Sequence, residues 1–130
     1  MRTQYTVALS LLAGAALGAV SVGGLYAQGK SPGAYAVFAF TDVGDAAAWK
    51  TNVVDPATSL IPKHGGHFVV RTNEVTALRA GEQPLKRLVI IGFDNVQKAK
   101  AWWTAPEMKS VNSYVEQHGK GSTALVEASQ

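Results

Sequence analysis

Two segments of this chain are apolar on both of their alternating faces. They are Ala34–Phe40 (AYAVFAF) and Arg87–Phe93 (RLVIIGF). Because successive residues of a strand point to opposite sides of a sheet, each segment is predicted to be a strand buried on both faces. Helices packed on one side would leave a large apolar surface exposed on the other side, which soluble monomers avoid. The fold must therefore provide cover for both sides of one sheet.

A first helix is predicted after the first of these strands. Thr41–Asp45 supplies oxygen atoms for an N-cap. Apolar residues then recur at near-helical spacing at Trp49, Val53, Ala57 and Leu60. Pro56 lacks a backbone donor and disfavours helical geometry at Asp55, so a break or kink is predicted there. The pair Gly65–Gly66 ends the helix.

His67–Thr72 (HFVVRT) is predicted to be the next strand, and strict alternation places Arg71 on the face opposite Phe68 and Val70. A loose connection leads from it to the strand Arg87–Phe93.

The last third of the sequence predicts a second helical region and a final strand. Asp94 and Gln97 have the spacing of a capping box, and the stripe that follows is Val96, Ala99 and Trp103. A helix restarts at Pro106 because proline suits a first helical position. Ser122–Glu127 is the last strand.

The resulting order, β-α-β-β-α-β, predicts an α+β, ferredoxin-like domain with a four-stranded antiparallel sheet and two helices on one face. Two helices cover only one side of such a sheet. We therefore predict a homodimer in which two sheets pack face to face across a two-fold axis.

The N-terminal 27 residues have the pattern of a secretory signal peptide. Arg2 is followed by an apolar stretch rich in small residues, Val7–Ala27, with cleavage expected between Ala27 and Gln28. Residues 28–33 are predicted to be a linker and residues 34–128 the domain. The protein is then periplasmic or secreted. The alternative is a retained membrane anchor, since the stretch approaches the roughly 20 residues of a spanning helix.

Composition excludes several classes of function. The chain has no cysteine, which excludes disulfides, thiolate catalysis and cysteine-ligated metals. Loss of Arg2 with the signal peptide lowers the formal net charge from +3 to +2. The lysines are scattered, so no nucleic-acid surface is predicted. There is no phosphate-binding loop, Rossmann glycine motif or Ser-His-Asp order.

The segments GGHFVVR, KRLVIIGFDNVQKAKAWW and APEMK resemble the domain-of-unknown-function 1330 family, within the dimeric α/β-barrel superfamily, and the likeness runs from Tyr35 to Glu127. The resemblance implies the ferredoxin-like fold and a barrel-type dimer. It implies no established reaction, although other members of the superfamily include cofactor-free monooxygenases, isomerases and haem enzymes.

Candidate site residues are few. His64 and His67 have an H-x-x-H spacing, but zinc usually needs at least three protein ligands, so neither a metal nor another cofactor is predicted. Both histidines are weak candidates for a catalytic base. Arg71 requires an anionic partner, which is either a carboxylate ligand or one of Asp42, Asp55 and Glu127.

Trp102 and Trp103 point about 100° apart on a helix, so one joins the core and the other lies near the sheet edge or the dimer interface. Packing is the usual role of such residues, and stacking on a ligand is the alternative for one of them. Asp42 is predicted to cap a helix, with a ligand-binding role as the alternative.

Three functions stay open from the sequence. The first is an exported domain that binds a small aromatic or carboxylated molecule between sheet and helices, through Arg71, Trp102, Trp103 and Asp42. The second is a cofactor-free oxygenase or isomerase with His64 or His67 as base and Arg71 orienting the substrate. The third is a non-catalytic interaction module.

Overall fold

The computed structural model describes residues 31–129. The predicted signal peptide and the first residues of the predicted linker lie outside the described residues, so cleavage between Ala27 and Gln28 stays a prediction. Within residues 31–129, no helix combines the length and the apolar character needed to cross a membrane.

A four-stranded antiparallel sheet carries the helices of the domain. Its strands are β1 (Ala34–Asp42), β2 (His67–Thr72), β3 (Arg87–Phe93) and β4 (Lys120–Glu127). They lie in the order β2-β3-β1-β4. This arrangement confirms the predicted α+β, ferredoxin-like fold, and the bounds of β2 and β3 match the prediction. The last strand begins at Lys120, earlier than the predicted Ser122.

Two helical regions connect the strands. The first contains α1 (Ala46–Trp49), a π-helical turn (Lys50–Val54), α2 (Asp55–Leu60) and a 3₁₀ turn (Pro62–His64). The second contains α3 (Val96–Trp103), a 3₁₀ turn (Pro106–Met108) and α4 (Lys109–His118).

Of the break or kink predicted at Pro56, the break does not occur. Asp55 has helical backbone angles (φ −62°, ψ −52°), and its N–H donates to the Lys50 carbonyl five residues earlier. A proline ring normally clashes with the carbonyl four residues before it. The wider π-helical turn that precedes Pro56 relieves that clash, so residues 46–60 stay helical throughout.

The predicted capping box at Asp94 is also wrong by one residue. Asn95 is the N-cap of α3, and its side-chain oxygen accepts from the Lys98 N–H at 2.9 Å. The Asp94 carboxylate instead lies 3.3 Å from Lys98 Nζ, in a partly exposed ion pair. Asparagine and aspartate cap about equally well, so the sequence did not distinguish the two positions.

The inner face of the sheet and the helices form one hydrophobic core. Phe38 is the centre of an aromatic cluster, with its ring centroid 5.9 Å from Trp102 and 5.8 Å from Trp103. Phe40 packs edge-on against Trp49 at 5.0 Å. The other buried residues of the core include Val89, Ile91, Phe93, Met108 and Val111.

The outer face of the sheet is apolar as well, as the sequence predicts. Tyr35, Val37 and Ala39 of β1 alternate with the buried residues, and Leu88 and Ile90 of β3 lie beside them in the register. All five are half-buried. Each α-helix of residues 31–129 packs on the inner face, where it contributes at least one buried residue to the core.

The pair Gly65–Gly66 combines a helix end with close packing. Gly65 has φ +77°, in the left-handed region that favours glycine. Gly66 is buried, and a Cβ atom there would lie 2.7 Å from the Phe93 ring and 2.8 Å from Ile61 Cγ2. The glycine at position 66 therefore allows the end of the first helical region to pack against β3.

We expect Gly66→Ala to lower the free energy of unfolding by about 1–3 kcal/mol, because the added methyl group overpacks the contact with Phe93. Urea unfolding followed by tryptophan fluorescence measures the change. The double variant Gly66→Ala/Phe93→Leu is expected to cost less than the sum of the single variants, since the ring that the methyl meets is gone. A Gly66→Ala protein as stable as the wild type would contradict the packing argument.

Candidate functional site

A β-bulge in β2 decides where its arginine lies. In the register of β2 and β3, Phe68 pairs with Ile91 and Val70 pairs with Ile90, so Val69 has no partner of its own. Each such insertion reverses the alternation of side chains along the strand. Phe68 and Arg71 therefore share the inner face, and the prediction that they lie on opposite faces is wrong.

Arg71 is held against the ring of Phe68. Its Cζ atom lies 4.7 Å from the ring centroid, which is the geometry of a cation–π interaction. Arg71 takes part in none of the ion pairs found in residues 31–129. Asp55, one of the partners considered for it, pairs with Lys50 at 3.1 Å instead. The prediction that Asp42 caps the helix is wrong, because Asp42 accepts from the N–H of Gly44 at 3.2 Å and Asp45 is the N-cap of α1.

Arg87 lies beside Arg71 at the same end of the sheet. It pairs with Phe40 in the register, which places it on the inner face, and its Nη1 donates to Asn73 Oδ1 at 2.8 Å. Burial lowers the pKa of Arg87, and the positive charge of Arg71 lowers it further. Both causes make the charged guanidinium less favourable here than in water.

The two arginines border an open cleft of about 460 Å³. Its side chains are cationic, amide or apolar: Lys50, Arg71, Lys86 and Arg87, with Asn73, and with Val43, Ala46, Trp49 and Val54. This volume falls within the range of small-molecule sites. An excess of positive charge beside an apolar wall suits an organic anion.

A smaller and more apolar cavity adjoins the cleft. It measures about 60 Å³ and lies between the inner face of the sheet and the helices. Trp49, Val54 and Arg87 line both spaces, so Arg87 lies where cavity and cleft meet. Other residues line the cavity but not the cleft, among them Phe38, Phe68, Trp102 and Met108.

One of the two adjacent tryptophans joins the core as predicted, but it is Trp102 and not Trp103, which the predicted apolar stripe contained. Trp102 is 2% exposed, whereas Trp103 is half-buried. Both line the inner cavity, and both also line a separate groove of about 250 Å³ between α3 and β4. Arg71 lines only the cleft, so Arg87, and not Arg71, connects the tryptophan side of the core to the cationic end.

The structure does not bring the histidines to this site. His67 pairs with Gly92 at the start of β2, and its neighbour Phe68 faces inward, so His67 faces outward. Arg71 lies four residues further along the strand, about 13 Å away at the usual rise. His64 ends the 3₁₀ turn beside Gly65. Neither histidine lines the cavity or the cleft, and the same holds for Asp42.

Within residues 31–129, no group of three or more histidine, cysteine or carboxylate side chains is placed to hold a metal ion.

Arg87 stands directly before an apolar strand, a pattern typical of a surface position at a strand end. In the structure, Arg87 pairs with Phe40, and the end of β2 lies beside it. This end of the strand therefore forms the mouth of the cavity. The signal in the sequence was two arginines at facing ends of adjacent antiparallel strands, Arg71 late in β2 and Arg87 first in β3.

Comparison with known proteins places this chain among ferredoxin-like proteins. A solved structure of SnoaB, a cofactor-independent oxygenase from Streptomyces nogalater, matches with a TM-score of 0.50 and 15% identity, over 77% of this chain and 96% of that one. The protein RPA0582 of unknown function from Rhodopseudomonas palustris matches with a TM-score of 0.53 and 11% identity, over 82% and 92%. These likenesses show the fold alone.

The family model described as a domain of unknown function (DUF1330) matches residues 32–129, and the chain belongs to this family. A comparison with curated protein sequences found no match.

Proposed function

We propose that this domain binds a small organic carboxylate, with the carboxylate group on Arg87 and Arg71 in the cleft. The observation that carries the proposal is the presence of two neighbouring guanidinium groups that share no ion pair with a carboxylate of residues 31–129. A carboxylate between them would offset both the burial of Arg87 and its repulsion by Arg71. Arginine forms bidentate hydrogen bonds with this group.

The apolar wall beside the arginines supports an organic anion over an inorganic one. Trp49 and Val54 flank Arg87 and continue into the cavity behind it. A catalytic role for His64 or His67 acting together with Arg71 is not part of this proposal. His67 is the first residue of β2 and His64 precedes that strand, whereas Arg71 lies near its end. Binding without chemistry is the function that this geometry supports best.

We expect Arg87→Gln to weaken the binding of butyrate, measured by calorimetry, about tenfold or more, because a hydrogen bond to a charged group contributes about 1.5–3 kcal/mol. Arg71→Gln is expected to weaken it in the same way. Added sodium chloride should weaken binding to the wild type, because the cleft is open and its charges are screened.

Arg79→Gln is the matched control, since Arg79 lies outside the cleft in an exposed pair with Glu82. It should bind butyrate as the wild type does. Thermal unfolding of each variant separates lost binding from lost folding. Equal binding by the wild type and both cleft variants would overturn the proposal.

We further propose that the domain is a homodimer whose two sheets pack outer face to outer face. The half-buried residues Tyr35, Val37, Leu88 and Ile90 on that face support this assembly, and Val69 and Val126 are 49% and 45% exposed. Burying such a surface against a second copy removes it from water.

We expect Ile90→Lys to convert the dimer to a monomer in sedimentation experiments at micromolar concentration, because it puts an unpaired charge at the centre of the outer face. The control is Leu78→Lys, since Leu78 is 94% exposed and lies in the connection between β2 and β3. This variant should sediment as the wild type does. A wild-type protein that sediments as a single subunit would exclude the dimer.

We also propose that the chain is exported and cleaved after Ala27, leaving a periplasmic or secreted domain. The apolar stretch after Arg2 and the small residues near Ala27 support this. We expect the full-length chain, expressed in a bacterium, to be recovered from the periplasm with the intact mass of a protein beginning at Gln28. Leu12→Arg should block export by interrupting the apolar stretch. A full-length protein in the membrane fraction would favour the retained anchor.

A further inference from the structure

We infer that the ligand is a short-chain aliphatic carboxylate whose carbon chain enters the inner cavity, which is too small to admit the ring of an aromatic carboxylate. This inference rests on the proposed function, because it assumes that Arg87 holds the carboxylate. It adds the chemical class of the rest of the molecule, which the arginines alone do not define.

The size of the inner cavity carries the inference. It measures about 60 Å³, whereas an apolar cavity of about 150 Å³ is known to bind benzene. A phenyl ring therefore does not fit behind Arg87 unless the core opens. A chain of a few carbon atoms is narrow enough to enter.

The walls of the cavity resist enlargement. Met108, Val111 and Ile61 are at most 2% exposed, and the ring of Trp102 packs against Phe38 and Phe93. Protein cores are packed at nearly crystalline density, so moving one of these side chains displaces others. The cavity thus sets an upper limit on the width of the group that it receives.

Arg87 lies where a bound carboxylate can reach both the cleft and the cavity. Arg87 lines both spaces, and its Nη1 is held in place by Asn73, a residue of the cleft. Trp49 and Val54 also line both spaces, so they form an apolar surface that continues from the cleft into the cavity. The inference places the carbon chain of the carboxylate along this surface.

Length selectivity follows from the transfer of methylene groups into the cavity. Each buried methylene should tighten binding about fourfold, which corresponds to about 0.8 kcal/mol. The gain should stop when the cavity is full, and longer or wider chains should bind less tightly.

The experiment is a binding series with acetate, propionate, butyrate, pentanoate, hexanoate, benzoate and phenylacetate. Calorimetry measures the affinity for the full-length protein, and tryptophan fluorescence reports on Trp49, Trp102 and Trp103, which all line the cavity. We expect affinity to rise from acetate through butyrate and then level off or fall. Benzoate and phenylacetate should bind at least tenfold more weakly than butyrate.

Two variants test whether the cavity itself is responsible. Ala57→Leu fills it, because Ala57 is one of its lining residues, and should abolish the gain from acetate to butyrate while acetate still binds. Met108→Ala enlarges it and should improve the binding of phenylacetate relative to butyrate. Should Met108→Ala fail to fold, Ala57→Leu still decides the question. Ala101→Leu makes the same substitution at an exposed site of α3 and should leave the series unchanged.

The results separate this inference from the proposed function. If benzoate or phenylacetate binds as tightly as butyrate, or if Ala57→Leu leaves the length dependence intact, the aliphatic class is overturned and the carboxylate site stands. If the wild type binds no member of the series, the site and the class are both overturned.

Discussion

The packing of the helices against Phe38 and Phe40 is the interaction on which the rest of this structure depends. These two rings lie on the inner face of the central strand β1 and contact Trp102, Trp103 and Trp49 from both helical regions. Aromatic pairs of this kind bury large areas and prefer defined angles. They hold the helices at fixed positions over the sheet, and the small inner cavity is the space that these large side chains leave between them.

A π-helical turn contributes to the cationic end of the domain. The π-helical turn Lys50–Val54 widens the helix just before Pro56, and Lys50 and Val54 of that turn line the cleft. A π-helical turn is rare and is frequently found at functional sites. Here the turn allows proline within a continuous helical segment, and it contributes the apolar side chain of Val54 to both spaces that Arg87 lines.

The two neighbouring arginines oppose the stability of the free protein. Burial and the charge of Arg71 both lower the pKa of Arg87, so the charged form is less favourable in the fold than in water. Proteins keep locally unfavourable arrangements of this kind at functional sites and offset them elsewhere in the fold. The stacking of Arg71 on Phe68 and the hydrogen bond from Arg87 to Asn73 offset part of this cost and hold both guanidinium groups in place.

The sequence by itself determined the strands β2 and β3, the order of the elements and the apolar character of both sheet faces. Those features depend on local hydrophobic alternation and on glycine and proline, which act over a few residues. The sequence also identified Arg71 and the two tryptophans as residues that need partners.

Only the tertiary structure decided which of these residues meet. The bulge at Val69 reverses the side-chain alternation and brings Arg71 to the inner face, although HFVVRT has a regular strand pattern. A bulge is defined by the pairing of two strands, so no local pattern in one of them reveals it. The volumes of the cavity and the cleft depend likewise on side chains from distant segments, because packing is a property of the whole core and not of any single segment.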